Sequence, residues 1–206
     1  MRWHLRRTAA TVILIISFFM AGPTIARPLD DAEAAYKRGD YATAYRLFKP
    51  LAENGLAEAQ NRICHMYTYG KGVSQNYSEA MIWCRRAADQ GLSYAQAELG
   101  ALYLQRRSGQ QDFVEAAKWN RRAAEQGDAP AQHALGIAYE FGLGVQKNFV
   151  FAHMWYSLSA LLASARMGQL REKSEIRRDD VASRMLPAQI AEAQRLASEW
   201  KPKKEK

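Results

Sequence analysis

Slid against itself by 36 residues, the chain realigns without a gap. Trp83, Trp119 and Trp155 fall in register, as do Tyr67, Tyr103 and Tyr139, Ala59, Ala95 and Ala131, and Gln60, Gln96 and Gln132. Ala44, Ala80, Ala116 and Ala152 carry the series one unit further back, and Gly55, Gly91 and Gly127 close three of the units. A period of this length belongs to solenoids of helical hairpins, in which each unit buries its apolar face only against its neighbours.

Each unit reads as two helices. Ala59, Ile63, Met66 and Tyr67 recur at helical spacing and predict a first helix, A, from Ala57 to Tyr69. Gly70-Lys71-Gly72-Val73 then breaks it, because glycine tolerates the positive φ that a reversal requires. The second helix, B, starts at a position that holds Asp40, Asn76, Asp112 and Asn148. These short polar side chains accept from the free N–H groups of a first turn. Glu79 and Glu115 follow three residues after their caps and predict capping boxes. Helix B runs on through Trp83, Ala87 and Ala88 to Gln90 and Gly91, with small alanines where two helices must approach closely.

Beyond Ala163 the register is lost. Gln169 to Met185 predicts an amphipathic helix through Leu170, Ile176, Val181 and Met185. Pro187 opens a last helix that places Ile190, Ala193, Leu196, Ala197 and Trp200 on one face. The two read as a cap over the open end of the array, and Lys201 to Lys206 as a frayed basic tail.

Composition agrees with a single helical array. At 206 residues and 23.3 kDa there is no room for two full domains. A hydrophobic fraction of 48% with mean hydropathy −0.40 describes a soluble chain that buries a real core. The first 26 residues read as an export signal: Arg2, Arg6 and Arg7, then an apolar run from Ala9 to Ala21, then small residues at Thr24-Ile25-Ala26 that place cleavage after Ala26. That run falls short of the roughly 20 residues that span a bilayer, so an uncleaved anchor is the competing reading. The three arginines of the signal come out of the net charge of +8 and leave +5. This modest, scattered excess on an exported chain argues for a solvated basic surface and against nucleic acid as a partner.

The segments ICHMYTYGKGVSQNYSEAMIWCRRAADQG, LGALYLQRRSGQQDFVEAAKWNRRAAEQG and LGIAYEFGLGVQKNFVFAHMWYSLSA resemble Sel1-like repeats, a subclass of the tetratricopeptide superfamily. Asp30 to Leu56 looks like a shorter hairpin of the same kind. Two departures stand out: Arg106-Arg107-Ser108 replaces the G-x-G loop in the second unit, and no glycine closes the third after Leu158-Ser159-Ala160-Leu161-Leu162. The resemblance implies an all-α fold, a right-handed superhelical solenoid of helical hairpins with a C-terminal capping helix pair. Its units would be an opening hairpin over 27–56, repeats over 57–93, 94–129 and 130–163, and C-terminal helices with the tail over 164–206.

Cys64 takes the position of Gly100 and Gly136, where helices of this family touch most closely. Cys64 and Cys84 stand at similar heights in the two helices of one hairpin, and an oxidising compartment would allow a disulfide between them. The alternative is two buried free thiols. A zinc role would need further ligands, and the chain has no second cysteine pair. His65, His133 and His153 come from different units or helices and read as surface or groove residues. Ser198-Glu199-Trp200-Lys201 is a lone S-x-x-K, with no S-D-N or K-T-G to complete a penicillin-recognising site. The recurring tryptophans read as repeat core and not as stacking platforms for sugars. No motif for a cofactor, metal or catalytic group is found.

What remains is a surface. In tetratricopeptide-like arrays helix A lines the concave wall, and the resemblance carries that role to Asn61, His65 and Tyr69, to Leu104 and Gln105, and to His133, Ile137, Glu140 and Phe141. Tyr69, Leu104, Ile137 and Phe141 would form an apolar strip with a polar border, as a peptide-binding groove needs. The function expected is a periplasmic or secreted protein–protein interaction module without chemistry of its own. It would serve an envelope signalling, polysaccharide or secretion system, with an envelope protein as partner. The competing expectation is a cell-wall-directed enzyme or small-ligand binder of the penicillin-binding repeat-protein kind.

Overall fold

A computed structural model describes residues 26–105 and 112–203. These residues form helices α1 (Ala26–Lys37), α2 (Tyr41–Glu53), α3 (Ala57–Tyr69), α4 (Tyr77–Asp89) and α5 (Ser93–Leu104). The series continues with α6 (Phe113–Glu125), α7 (Ala129–Phe141), α8 (Phe149–Leu162), α9 (Gly168–Ala182) and α10 (Pro187–Glu199). Each helix from α1 to α8 packs on the next, and α10 folds back onto α8. The result is a right-handed solenoid of antiparallel hairpins. The expected export signal lies outside the described residues, apart from Ala26. Among the described residues no helix is long and apolar enough to cross a membrane.

The B helices begin where the polar caps are. Asp40, Asn76, Asp112 and Asn148 each accept a backbone N–H of the first turn through the side chain. The expected capping boxes do not close. The Glu79 carboxylate turns instead to the Trp83 indole N–H at 3.2 Å, and Glu115 to the Lys118 ammonium at 3.1 Å. Between α3 and α4, and between α7 and α8, the turns need glycine for two reasons. Gly72 and Gly144 have φ of 74° and 69°, and a Cβ at either would overlap the carbonyl of Tyr41 or Phe113 in the preceding unit.

Repetition in sequence becomes repetition in packing. Trp83, Trp119 and Trp155 are buried, as are Ala44, Ala80, Ala116 and Ala152. One core cluster centres on Phe48, Ile63, Met66 and Leu99, and a second on Leu135, Trp155, Tyr156 and Leu158. A ladder of amides stitches neighbouring units. Gln60, Gln96 and Gln132 each donate from Nε2 to the carbonyl of Ala52, Ala88 or Ala124, at 3.1 Å in every case. Gln90 and Gln126 in turn donate to Gln60 Oε1 and Gln96 Oε1 at 2.8 and 2.9 Å.

The helix-to-helix contact at the centre of each hairpin is made in three ways. In the first full unit Cys64 and Cys84 are joined by a disulfide, with their Cα atoms 5.1 Å apart. Thirty-six residues on, Gly100 faces Asn120, and a Cβ at Gly100 would lie 2.5 Å from Asn120 Oδ1. After a further 36, Gly136 faces the Tyr156 ring, 2.7 Å from where a Cβ would stand. A covalent bond and two small-against-large pairs fill the same slot.

At the C-terminal end the structure departs from the amphipathic pattern. Ile176 is 61% exposed, whereas Ser174 and Val181 are fully buried on α9. The seam with α8 is partly polar, because Ser174 Oγ donates to Ser159 Oγ at 3.0 Å and Ser159 to the Ala129 carbonyl at 2.8 Å. Nor is the start of the tail free. Lys203 N–H donates to the Glu125 carbonyl at 2.8 Å, and its ammonium reaches Glu125 Oε2 at 3.2 Å. Residues 204–206 lie outside the described residues.

Candidate interaction groove

Helices α5 and α7 touch, as do α7 and α9, and α10 packs on α8. The expected groove residues fall on the wall of A helices α1, α3, α5 and α7 and the residues that follow them. Three neighbourhoods follow one another along it.

The first is aromatic and basic. Tyr36 of α1 meets His65 of α3 through a 2.8 Å contact from its hydroxyl to Nδ1, and the His65 and Tyr69 rings lie 4.4 Å apart. Lys71 Nζ donates to the Tyr36 hydroxyl at 3.2 Å while resting 5.3 Å above the Tyr36 ring and 5.2 Å above that of Tyr41. An ammonium only donates, so the Tyr36 hydroxyl accepts from Lys71 and keeps its own O–H available for His65 Nδ1. Burial, then the charges of Lys71 and Arg62, hold the His65 imidazole down at about 4. Arg62 is held by Glu33 through two bonds of 2.6 and 3.0 Å. On α5, Glu98 follows Tyr94 by one helical turn, and burial pushes its carboxyl up to about 7.

The second neighbourhood is an apolar slot of about 70 Å³ between α5, α6 and α7. Leu104, Phe113, Ala134, Ile137 and Leu143 line it, and Asn120 supplies a polar side chain among them. The exposed rings of Tyr69 and Phe141 belong to the same repeat position, two units apart.

The third is closed by α9. His133 Nδ1 meets Ser174 Oγ at 2.8 Å. Glu140 is 1% exposed and takes Arg184 at 2.8 Å, Arg177 at 3.6 Å and the Tyr156 hydroxyl at 2.8 Å. Arg177 also lies 5.6 Å over the Phe141 ring.

The residues expected on the groove thus divide. Tyr69 and Phe141 are exposed at 58% and 52%; His65, Leu104, Gln105 and Ile137 are half-buried along the wall. Gln105 caps the C-terminus of α5. Asn61 and Glu140 are buried, the first under the A-helix surface and the second beneath Arg177 and Arg184. Helical spacing alone cannot see α9, which carries those arginines or leads into them. Sequence reasoning also passed over Tyr36, Arg62, Tyr94 and Glu98. A signal was there: the position holding Arg62, Glu98 and Ala134 changes character between units while its neighbours Ile63, Leu99 and Leu135 stay apolar.

The sequence profile described as Sel1 repeat matches residues 32–56, 57–92, 93–128 and 129–164. The chain belongs to the Sel1 repeat family. Among solved structures the Sel1 array resembles a Sel1 repeat protein from Oxalobacter formigenes, at 27% identity and a TM-score of 0.60 over 75% of this chain and 69% of that one. It also resembles a protective antigen of uropathogenic Escherichia coli strains that displays an SLR fold, at 26% identity and a TM-score of 0.52. That match covers 76% of this chain and 40% of the antigen. No curated protein sequence matches. Sel1 repeats mediate protein–protein interaction, as scaffolds without enzymatic activity of their own.

Proposed function

We propose that this Sel1 array is an exported adaptor that holds a segment of an envelope protein along its inner wall, within a signalling, polysaccharide or secretion system. One observation carries the reading. The apolar slot falls in the unit between those of two outward-facing rings, Tyr69 and Phe141, which are more than half exposed on a chain that buries its repeated tryptophans. Side chains of a bound segment would enter the slot, and the rings would cover them. Closure of His133 by α9 leaves the segment α3, α5 and the end of α7 that carries Ile137 and Phe141. The disulfide supports export, since cytosolic reductants keep thiols free.

The test is crosslinking and capture in the envelope, comparing wild type with Tyr69→Ala/Phe141→Ala. Both substitutions fall on exposed side chains, so helical content by circular dichroism should be unchanged. A partner bound by the wild type, lost by the folded variant and reproduced with purified components supports the groove. Equal capture by both forms refutes it. Sequencing the N-terminus of the exported protein tests cleavage after Ala26.

A further inference from the structure

Beneath the groove, independent of any partner, the sulfurs of Cys64 and Cys84 and a carboxylate oxygen of Glu98 lie within 4.8 Å of one another. The three side chains come from three successive helices: α3, α4 and α5. Both cysteines are fully buried, and Glu98 Oε1 is buried with no hydrogen-bond partner among the described residues. The nearby cation, Arg62, is spent on Glu33. Repeat packing does not require this grouping. One unit on, the same three positions hold Gly100, Asn120 and Ala134, and after that Gly136, Tyr156 and Leu170. The argument from cysteine count against a zinc site therefore overlooked a third donor supplied by the next unit.

We propose that, once its disulfide is reduced, the protein binds one thiophilic divalent cation, zinc by its chemistry, through Cys64, Cys84 and Glu98. A dithiol reductant opens the bond. Two electrons and two protons pass to the sulfurs, and the dithiol closes to its own disulfide. Zinc then displaces the two thiol protons and any proton on the Glu98 carboxyl, all of which leave to solvent, and two thiolates and a carboxylate hold the ion. Water takes the fourth, open position. Ligands around tetrahedral zinc stand about 3.5 to 4 Å apart, so the sulfurs must swing from bonding distance to about that separation, and the third donor already lies within 4.8 Å of both. Two thiolates select zinc over magnesium or calcium, which prefer oxygen throughout. The oxidised bond ties α3 to α4 inside one unit, whereas the metal would tie α5 to both and lock the first full unit to the second.

The experiment uses the folded mature chain, reduced with a phosphine under anaerobic conditions and titrated with cobalt and then zinc. Expected are one equivalent of cobalt, a thiolate-to-cobalt charge-transfer band, and bleaching of the band by one equivalent of zinc. Glu98→Gln should weaken binding about tenfold or more. Cys64→Ser/Cys84→Ser, and the oxidised wild type, should show no band. Absence of the band in the reduced wild type overturns the proposal. Unchanged affinity in Glu98→Gln overturns it too, since two thiols alone would then suffice. If reduction melts the chain, zinc must restore its helicity, and failure to do so is equally fatal.

Discussion

Gln132 Oε1 is buried without a hydrogen-bond partner among the described residues, at the point where Leu162 stands in place of a glutamine. In the two preceding units Gln90 and Gln126 fill that place and donate to Gln60 and Gln96. They also reach the Gly55 and Gly91 carbonyls at 3.0 and 3.1 Å. The amide ladder thus stops one rung short of the array's end. Leu162→Gln should complete it and raise stability by about 1 kcal/mol. Gln126→Leu, which removes the bonds from Gln126 to Gln96 Oε1 and to the Gly91 carbonyl, should cost about 1 to 3 kcal/mol. Denaturant midpoints decide both. A loss of stability in Leu162→Gln would show that the contact of Leu162 with the capping region outweighs the missing bond.

The three fillings of the central slot make a second prediction. Alanine is the better helix former by about 1 kcal/mol, so Gly136→Ala would stabilise an isolated α7. Here its Cβ would press on the Tyr156 ring, and a net loss of about 1 to 3 kcal/mol is expected. Cys64→Gly/Cys84→Asn copies the second unit's solution and should still fold. It gives up a bridge across 20 residues, which costs about 3 kcal/mol. Thermal melting with and without reductant measures the bridge in the wild type, and the double variant should show no dependence on reductant.

Glu140 joins three segments. Its carboxylate, on α7, accepts from Tyr156 of α8 and from Arg184 after α9, with Arg177 of α9 close by. Removing it leaves the Tyr156 hydroxyl without its acceptor and takes one anion from Arg177 and Arg184, while Arg184 keeps Asp180 at 2.7 Å. Glu140→Ala should destabilise the C-terminal end by about 1 to 3 kcal/mol, chiefly through the buried Tyr156 hydroxyl. Amide exchange should quicken in α9 before it does in α3 or α4. Uniform quickening along the whole chain would refute a local clamp.

The same residue shows how far sequence alone reaches. The 36-residue register exposed the hairpins, the caps and the tryptophan core, because each is dictated by neighbours at fixed spacing. Glu140 followed the same rule to a groove position, and non-repeating α9 moved it into the interior. Glu98 went unnoticed because its partners, the two sulfurs, belong to a different unit. Ile176 failed for a related reason: α9 has no following unit, so a pattern that reads as core faces solvent. What repeats was legible, and what crosses between units or ends the array needed the fold.

Two titrations pull stability in opposite directions with pH. Burial raises the Glu98 carboxyl from 4.5 to about 7, so the folded chain keeps a proton that the unfolded chain has already released. That contribution is whole below pH 4.5 and is lost as pH rises through about 7. His65 is lowered from 6.5 to about 4, and as pH falls the unfolded chain takes up the proton first. Its contribution is whole above pH 6.5 and is lost as pH falls through about 4. Between these limits the two slopes oppose each other, and the His133 and His153 imidazoles, also lowered by burial, add to the rise, so the oxidised wild type should gain some stability towards pH 6.5 and then decline to about pH 7. Glu98→Gln removes one slope. It should match the wild type near pH 4, gain stability up to pH 6.5, and exceed it at pH 8 by on the order of 2 kcal/mol. Urea unfolding across this range measures both curves. If they run parallel, Glu98 does not carry a raised pKa in the folded chain; if they separate as stated, the buried carboxyl beside the disulfide is an ionisable group held neutral by the fold.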